Sequence, residues 1–140
     1  MRVEKELTDD LIVALAVSIA TGDGEKPAAG GWQGTPGQST FVPYCVVHPL
    51  TGGYTTGGID DNDSAELLYQ ISCYGATRAQ CQHAAETVHP IALGLRPTLT
   101  SHAVTWVDDD MLGGSRRDDL VQPPQWVAVP RYRFYVAPKS

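Results

Sequence analysis

The hydrophobic positions change their period once within residues 67–92, and this change divides the centre of the chain into two predicted elements. Hydrophobic and polar side chains first alternate, which predicts a β-strand with one fully buried face. That face is formed by Leu67, Tyr69, Ile71 and Cys73. After Gly75 the apolar positions recur with a helical period, and Thr77 and Gln80 have the spacing of a capping box at the helix start. Pro90 is expected just inside or just past the helix end.

An N-terminal helix is predicted over residues 3–20, where the apolar side chains follow the i, i+3 and i+4 rule. Acidic side chains crowd its early turns, where the helix dipole favours negative charge. Gly22 and Gly24 are expected to end this helix. Its apolar stripe is wide for a helix that covers a single sheet, and part of the stripe is therefore expected to face a second subunit.

Alternating positions predict further strands on both sides of the central element. These strands cover residues 40–47, 54–57, 100–107 and 126–136. Pro43 and Pro130 interrupt the first and the last of them, which predicts an edge position or a bulge. In the last segment Arg131 and Arg133 fall with Tyr135 on the face opposite Trp126, Ala128, Tyr132, Phe134 and Val136.

The resulting order, α-β-β-β-α-β-β, predicts one α+β domain over residues 1–140. We expect a mainly antiparallel (mixed) β-sheet with two helices packed on one face, which leaves the other face for a partner. Residues 22–40 and 108–124 show no period and are predicted to be two long loops. Loops of this length in a small domain are usually functional or ordered by a partner.

The charge balance argues against a protein whose main task is to grip nucleic acid. The 140 residues carry a net charge of −6 and an isoelectric point near 5.0, whereas nucleic-acid binding needs a basic face. The three cysteines lie in apolar patterns, which predicts reduced, buried thiols in a cytosolic product. The N-terminal apolar run follows an acidic segment and is too short to cross a bilayer, so we expect neither a secretory signal nor membrane contact.

Cysteine and histidine side chains are the first candidates for chemistry. A zinc site would have to combine Cys73, Cys81 and His83 with either His89 or His48. This spacing fits no C-x-x-C pattern, and buried thiols with solvated histidines account for the same residues. A nucleophilic pair of Cys45 and His48 is also disfavoured, because side chains three residues apart diverge at a strand end and no third group would orient the imidazole.

Acidic runs offer a second kind of candidate site. Residues 108–110 are three successive aspartates, and residues 59–63 alternate oxygen ligands but lack the glycine and the distal glutamate of a calcium loop. Such runs are more often solvated than ligated. The glycines of residues 22–26 lack the spacing of a phosphate-binding loop. We therefore predict no catalytic, cofactor-binding or metal-binding residues.

Charged and aromatic side chains outside the predicted core are candidates for contacts with another subunit. Arginine suits bidentate pairing at interfaces, and the aspartate-rich loops would offer carboxylates. The candidate interface residues are Trp32, Arg116, Arg117, Arg131, Arg133, Asp108, Asp109 and Asp110. For Arg131 and Arg133 the alternative is a solvated or ion-paired sheet face. Trp32 lies in a loop, where it would anchor a partner.

The central segment of residues 67–75 reads Leu-Leu-Tyr-Gln-Ile-Ser-Cys-Tyr-Gly and leads directly into the alanine-rich helix of residues 78–89. With the N-terminal helix, the glycine-rich loop and the hairpin, this arrangement resembles the tail terminator proteins of long-tailed (siphovirus-type) bacteriophages. In that family a strand of the type hydrophobic-Tyr-Gln-hydrophobic-x-x-Tyr/Trp-Gly precedes an alanine-rich helix. The resemblance covers chiefly residues 3–20 and 40–136.

The resemblance implies a structural virion protein that is not an enzyme and holds no cofactor. It implies a homohexameric ring on the head-proximal end of the tail tube, which stops tube polymerisation and provides the head-docking face. The implied partners are further copies of the chain, the tail tube protein and the head–tail connector (neck) protein. DNA would only pass through the lumen. The implied location is the virion tail, and the host cytoplasm during assembly.

Two alternatives stay open at this point. The first is a neighbouring virion part, a head–tail connector or tail-completion protein, which has a similar size and α/β composition. The second is a small cytosolic enzyme that uses Cys45 and His48, or the aspartate loops.

Overall fold

The computed structural model describes residues 2–50, 64–111 and 114–139 of the chain. Two helices lie in this part, α1 (Arg2–Ala16) and α2 (Arg78–Leu93). The strands of the same part are β1 (Ala20–Asp23), β2 (Gly31–Trp32), β3 (Phe41–Val42), β4 (Tyr44–Leu50), β5 (Ala65–Gly75), β6 (His102–Met111), β7 (Arg116–Asp118), β8 (Gln125–Ala128) and β9 (Arg131–Pro138).

The long strand β5 lies at the centre of the main sheet, as its alternating pattern predicts. Leu67, Tyr69, Ile71 and Cys73 are at most 2% exposed. Strand β4 pairs antiparallel with β5 on one side, and β9 and β8 pair with successive parts of β5 on the other. The predicted strand and its buried face are confirmed.

Strands β8 and β9 form one arm of a long hairpin, and β7 and β6 form the other arm. The hairpin is interrupted near Pro130, as the sequence predicts for a proline that cannot donate to the ladder. On the far side of the sheet, β1 pairs parallel with β4. Every other pair is antiparallel, so the described sheet is mixed and mainly antiparallel, with β1 at one edge and β6 and β7 at the opposite edge.

Both described helices pack on the face of the sheet that carries the buried residues of β5. The hydroxyl of Tyr69 lies 2.8 Å from Thr8 Oγ1 of α1, and His89 Nδ1 of α2 lies 3.0 Å from the hydroxyl of Tyr132. These bonds give a hydrogen-bond partner to polar atoms that would otherwise be buried in the core without one. The α+β class, with two helices on one face of a mainly antiparallel sheet, is confirmed.

The start of α2 has the predicted cap. Gln80 N donates to the Thr77 hydroxyl over 3.2 Å, and Gln80 Oε1 accepts from Ala76 N over 2.8 Å. Each bond satisfies a backbone donor at the helix start. Pro90 lies inside the last turn, and the helix continues to Leu93.

The predicted end of the first helix is wrong. The helix ends at Ala16, and residues 20–23 form an edge strand instead of a helix terminus. Strand β1 pairs with the buried strand β4. The hydrogen bonds of this pairing outweigh the weak helical propensity of the residues in β1. Gly22 lies within β1, and a Cβ there would lie 1.8 Å from the carbonyl oxygen of Glu25, so a larger residue does not fit at this position.

The two predicted loops are also partly wrong. Residues 108–111 belong to β6 and residues 116–118 to β7, because pairing with β9 and β8 orders segments that show no alternation of their own. Residues 22–40 hold the end of β1 and the short strand β2. The predicted strand at residues 54–57 and the acidic run at residues 59–63 lie outside the described residues.

Candidate interaction surfaces

The sheet face that points away from the helices carries a patch of charged and aromatic side chains. We call it the open sheet face, and it consists of Glu66, Gln70, Trp106, Asp108, Arg131, Arg133 and Tyr135. The indole of Trp106 is 59% exposed, whereas most other members are half-buried. Neither described helix covers this face.

The arginines of the open sheet face are held by groups of their own chain. Arg131 Nε donates to Gln70 Oε1 over 3.3 Å, and Arg133 Nε lies 3.8 Å from Glu66 Oε2. Tyr135 donates its hydroxyl to Asp108 Oδ2 over 3.4 Å. Because partly exposed pairs of this kind stabilise a fold by less than about 1 kcal/mol, they orient the side chains more than they stabilise the sheet.

The predicted anchor Trp32 lies against its own chain. Its ring packs edge-to-face on Phe41 with centroids 5.1 Å apart. The two rings belong to a small cluster on the side of the sheet that points away from the helices. Tyr44 and Tyr74 stack in the same cluster with centroids 4.8 Å apart. The indole Nε1 of Trp32 is buried without a hydrogen-bond partner among the described residues. Its role as an anchor for a partner stays a prediction.

The predicted aspartate candidates are distributed over an edge strand instead of a loop. Asp108 lies opposite Arg133 on the open sheet face, and Asp109 is exposed on the side of the helices. The backbone of Asp110 lies in the irregular part of β6, where the pairing register shifts. Of the two aspartates whose side chains the structure describes, Asp108 is the one that lies next to a predicted arginine candidate.

Arg116 and Arg117 lie in β7, the short edge strand of the hairpin, and both are exposed. Arg117 Nε forms an ion pair with Asp119 in the following turn. No described residue forms a hydrogen bond or ion pair with the guanidinium of Arg116. In the turn after β7, Leu120 is 97% exposed and Val121 is 40% exposed. Exposed apolar side chains therefore follow the two arginines of this edge strand.

Cys45 and His48, the pair considered for nucleophilic chemistry, are not brought together. Cys45 lies opposite Cys73 on the buried face of the sheet, whereas His48 lies opposite Gln70 on the other face. Burial raises the pKa of the Cys45 thiol to about 11, and burial also raises the pKa values of Cys73 and Cys81. A nucleophilic cysteine needs a lowered pKa, so this environment is that of a core thiol.

The raised thiol pKa leads to a prediction for alkaline pH. In the folded chain half of the Cys45 thiol is ionised only near pH 11, whereas the unfolded thiol is half ionised at its ordinary value of 9.0. The contribution of the Cys45 thiol to the free energy of unfolding is therefore fully present below about pH 9 and is lost as pH rises towards 11. We expect the free energy of unfolding to fall by roughly 2 to 3 kcal/mol through this group, measured by urea unfolding across the interval.

Cys45→Ala serves as the matched variant for this measurement. It costs stability at neutral pH through lost packing, but its free energy of unfolding should fall less steeply above about pH 9. An unchanged slope in this variant would contradict the assignment to Cys45. Tyr44, whose pKa burial raises to about 12, contributes in both proteins and cancels in the comparison.

Within the described residues, no group of three or more histidine, cysteine, aspartate or glutamate side chains is arranged to hold a metal ion. The helices of the same part of the chain are too short or too polar to cross a bilayer. No known protein-family model matches the chain, and no curated protein is significantly similar to it.

Sequence reasoning missed the two short edge strands, β1 and β7. Each is too short to show a period, since β1 has four residues and β7 has three. Their place at opposite edges of the sheet became visible only through pairing with β4 and β8.

Proposed function

We propose that this chain is a structural subunit of a bacteriophage tail, a tail terminator that caps the head-proximal end of the tail tube as a homohexameric ring. The ring would stop tube polymerisation and provide the docking face for the head. The resemblance of residues 67–89 to that family supports the proposal, since these residues form the central strand and the helix that follows it.

The observation that carries the proposal is the arrangement of the described sheet, which ends in edge strands on both sides. A subunit whose two edges differ can join copies head to tail, and a head-to-tail contact closes into a ring when the rotation between copies allows it. The half-buried charges and the exposed Trp106 of the open sheet face supply a further surface for the tube or the neck. A net charge of −6 suits a lumen that DNA traverses without being held.

The alternative of a head–tail connector or tail-completion protein uses the same features. A connector would remain with heads when tails are absent, whereas a terminator would remain with tail tubes when heads are absent. The enzyme alternative depends on Cys45 and His48, and their places on opposite faces of β4 give it no support.

A complementation experiment in the phage that encodes this chain tests the proposed function. Without the chain, we expect tails of uncontrolled length that do not join heads, seen by electron microscopy. Supplying wild-type protein should restore tails of uniform length. A chain bearing Arg131→Glu and Arg133→Glu should remain folded but restore about tenfold fewer joined particles, because reversed charges weaken contacts of the open sheet face.

The matched control for that variant reverses two exposed cations elsewhere, Arg78→Glu and Lys139→Glu, and should complement as well as the wild type. Normal tail length in the absence of the chain would refute the terminator function. Full complementation by the Arg131→Glu, Arg133→Glu chain would show only that these arginines lie outside the contacts.

A further inference from the structure

Strands β6 and β9 form the uncovered half of the open sheet face. The small hairpin of β2 and β3 packs elsewhere on this side, in a cluster with Tyr44 and Val46 of β4 and Tyr74 of β5. Neither described helix lies on this side of the sheet. We call the uncovered part the β6–β9 half, and its members on the open sheet face are Trp106, Asp108, Arg131, Arg133 and Tyr135.

A bulge in β6 turns Trp106 onto this half. The pairing register with β9 shifts between Val104 and Trp106, so Thr105 lies between them without a register partner. Without the shift, alternation would place Trp106 on the helix side together with Val104, whereas the observed register places it opposite Tyr135. Its side chain is 59% exposed there. Bulges that re-aim one side chain are common where a surface has a function.

The charges on the open sheet face are balanced, although the chain as a whole carries a net charge of −6. Arg131 and Arg133 are its cations, and Glu66 and Asp108 are the anions beside them. Because the chain is acidic, two copies repel each other, and this repulsion is smallest where neutral surfaces meet. Tryptophan, tyrosine and arginine are also the residue types that contribute most to contacts between proteins.

The β6–β9 half is complementary to itself. Trp106 lies opposite Tyr135, and Asp108 lies opposite Arg133, on the neighbouring strands β6 and β9. A two-fold axis that runs along the strands, midway between β6 and β9, exchanges these two strands between facing copies. Each side chain then faces the register partner of its own counterpart. Arg133 of one copy faces Asp108 of the other, and each such contact is made twice.

Axes that cross the strands bring like charges together. At the level of Arg133 and Asp108, such an axis would place each of these charges against its own counterpart in the other copy. Placed between Arg131 and Arg133, it would set these two arginines against each other. Of these arrangements, the axis along the strands is the one that pairs opposite charges.

Contacts within the chain do not compete with this pairing. Arg133 Nε lies 3.8 Å from Glu66 Oε2, and Asp108 Oδ2 accepts from the hydroxyl of Tyr135 over 3.4 Å. A guanidinium group has five donors, and a carboxylate accepts several hydrogen bonds. A second copy would therefore add to these contacts and would not have to break them.

We propose that two copies of this chain associate face to face through the β6–β9 half, about a two-fold axis that runs along the strands. Arg133 pairs with Asp108 across the contact, and Trp106 packs on Tyr135. A contact only two strands wide lies at the small end of interface sizes, so we expect a monomer–dimer equilibrium. The inference goes beyond the proposed function, because a two-fold contact is no part of a head-to-tail ring and describes copies that have not joined a tail.

A mixing experiment tests the charge pairing. Arg133→Asp presents carboxylates at both positions, and Asp108→Arg presents guanidinium groups at both. Each variant alone should therefore associate about tenfold more weakly than the wild type, as measured by sedimentation velocity over a concentration series. An equal mixture of the two variants should associate again, because opposite charges then face each other at both contacts. A folding defect cannot produce this recovery.

Arg78→Asp and Glu86→Arg are the matched controls. Both residues are exposed on α2, on the other side of the sheet. These variants should associate like the wild type, alone and mixed. Trp106→Ala should weaken association by about tenfold, since it removes the large apolar side chain of the contact. Circular dichroism of each variant shows whether the chain is still folded.

Cross-linking tests the direction of the axis. An axis along the strands keeps Ala103 of both copies at the same level, roughly 11 Å apart for sheets about 10 Å apart and strands about 4.8 Å apart. Ala103→Cys chains should therefore cross-link to each other through a bismaleimide of that length, since the native thiols are buried. In a mixture with Arg131→Cys chains the mixed product should be rarer, because the two positions lie at different levels of the face.

Several outcomes would overturn the inference. A wild-type chain that stays monomeric would do so, and this is the result expected if the hairpin of β2 and β3 keeps a second sheet away. Single variants that associate like the wild type, a mixture that fails to recover, or a preferred cross-link between Ala103→Cys and Arg131→Cys would also do so. None of these results decides the proposed function, which depends on tail length. Conversely, normal tails in the absence of the chain would refute the terminator and leave the contact standing.

Discussion

Gly75→Ala is expected to destabilise the domain by about 3 kcal/mol or more, a large part of the stability of a typical domain. Gly75 ends the central strand β5, where the chain turns into α2. A Cβ at this position would lie 2.4 Å from Cys81 N and 2.8 Å from the carbonyl carbon of Gln80. Both atoms are helix backbone and cannot move aside without displacing the first turn of α2.

Thermal and urea unfolding of the purified variant measure this effect. Gly114→Ala is the matched control, because a Cβ at Gly114 meets no heavy atom of the described residues within 4 Å. Its free energy of unfolding should stay within about 0.5 kcal/mol of the wild type. Equal stabilities of the two variants would mean that α2 does not lie as close to the end of β5 as the structure places it.

Phe134→Ala is expected to cost about 3 to 5 kcal/mol, since it opens a cavity at the centre of the core. The side chain of Phe134 is fully buried in β9, and its ring meets Tyr69 edge-to-face with centroids 5.4 Å apart. Tyr69 in turn lies within hydrogen-bonding distance of Thr8 in α1. The cavity would therefore loosen the contact between the sheet and α1 as well as the sheet itself.

Trp106→Ala provides the contrast for that measurement. It removes a larger side chain, but Trp106 is 59% exposed on the open sheet face, so its loss should change the free energy of unfolding by less than about 1 kcal/mol. A stability loss at Trp106 comparable to that at Phe134 would contradict the assignment of the two sheet faces. Under the proposed function, Trp106→Ala should instead reduce the joining of particles.

The edges of the sheet differ in how they are protected, and this difference bears on assembly. Strand β6 is long but carries two register shifts and aspartates, which hinder pairing with another chain. Strands β1 and β7 are short, and short edges associate only weakly by backbone bonds alone.

The amino-acid sequence alone determined the elements whose patterns are long and strong. These are the strand with buried Leu67, Tyr69, Ile71 and Cys73, the helix capped by Thr77, and the α+β class with two helices on one face. Each depends on a period or a cap that acts within a few residues. The sequence alone also predicts that Cys45 and His48 point to opposite faces of β4, because side chains alternate along one strand.

Only the tertiary structure decided where α1 ends, that residues 20–23 and 116–118 are edge strands, and which charges remain without a described partner. Segments of three or four residues carry no readable period, and they become strands only because a neighbouring strand supplies the hydrogen bonds. The sequence likewise predicts Trp32 in a loop, whereas the structure places it in the short strand β2 with its ring packed on Phe41. Such contacts join residues through space, and local patterns do not encode them.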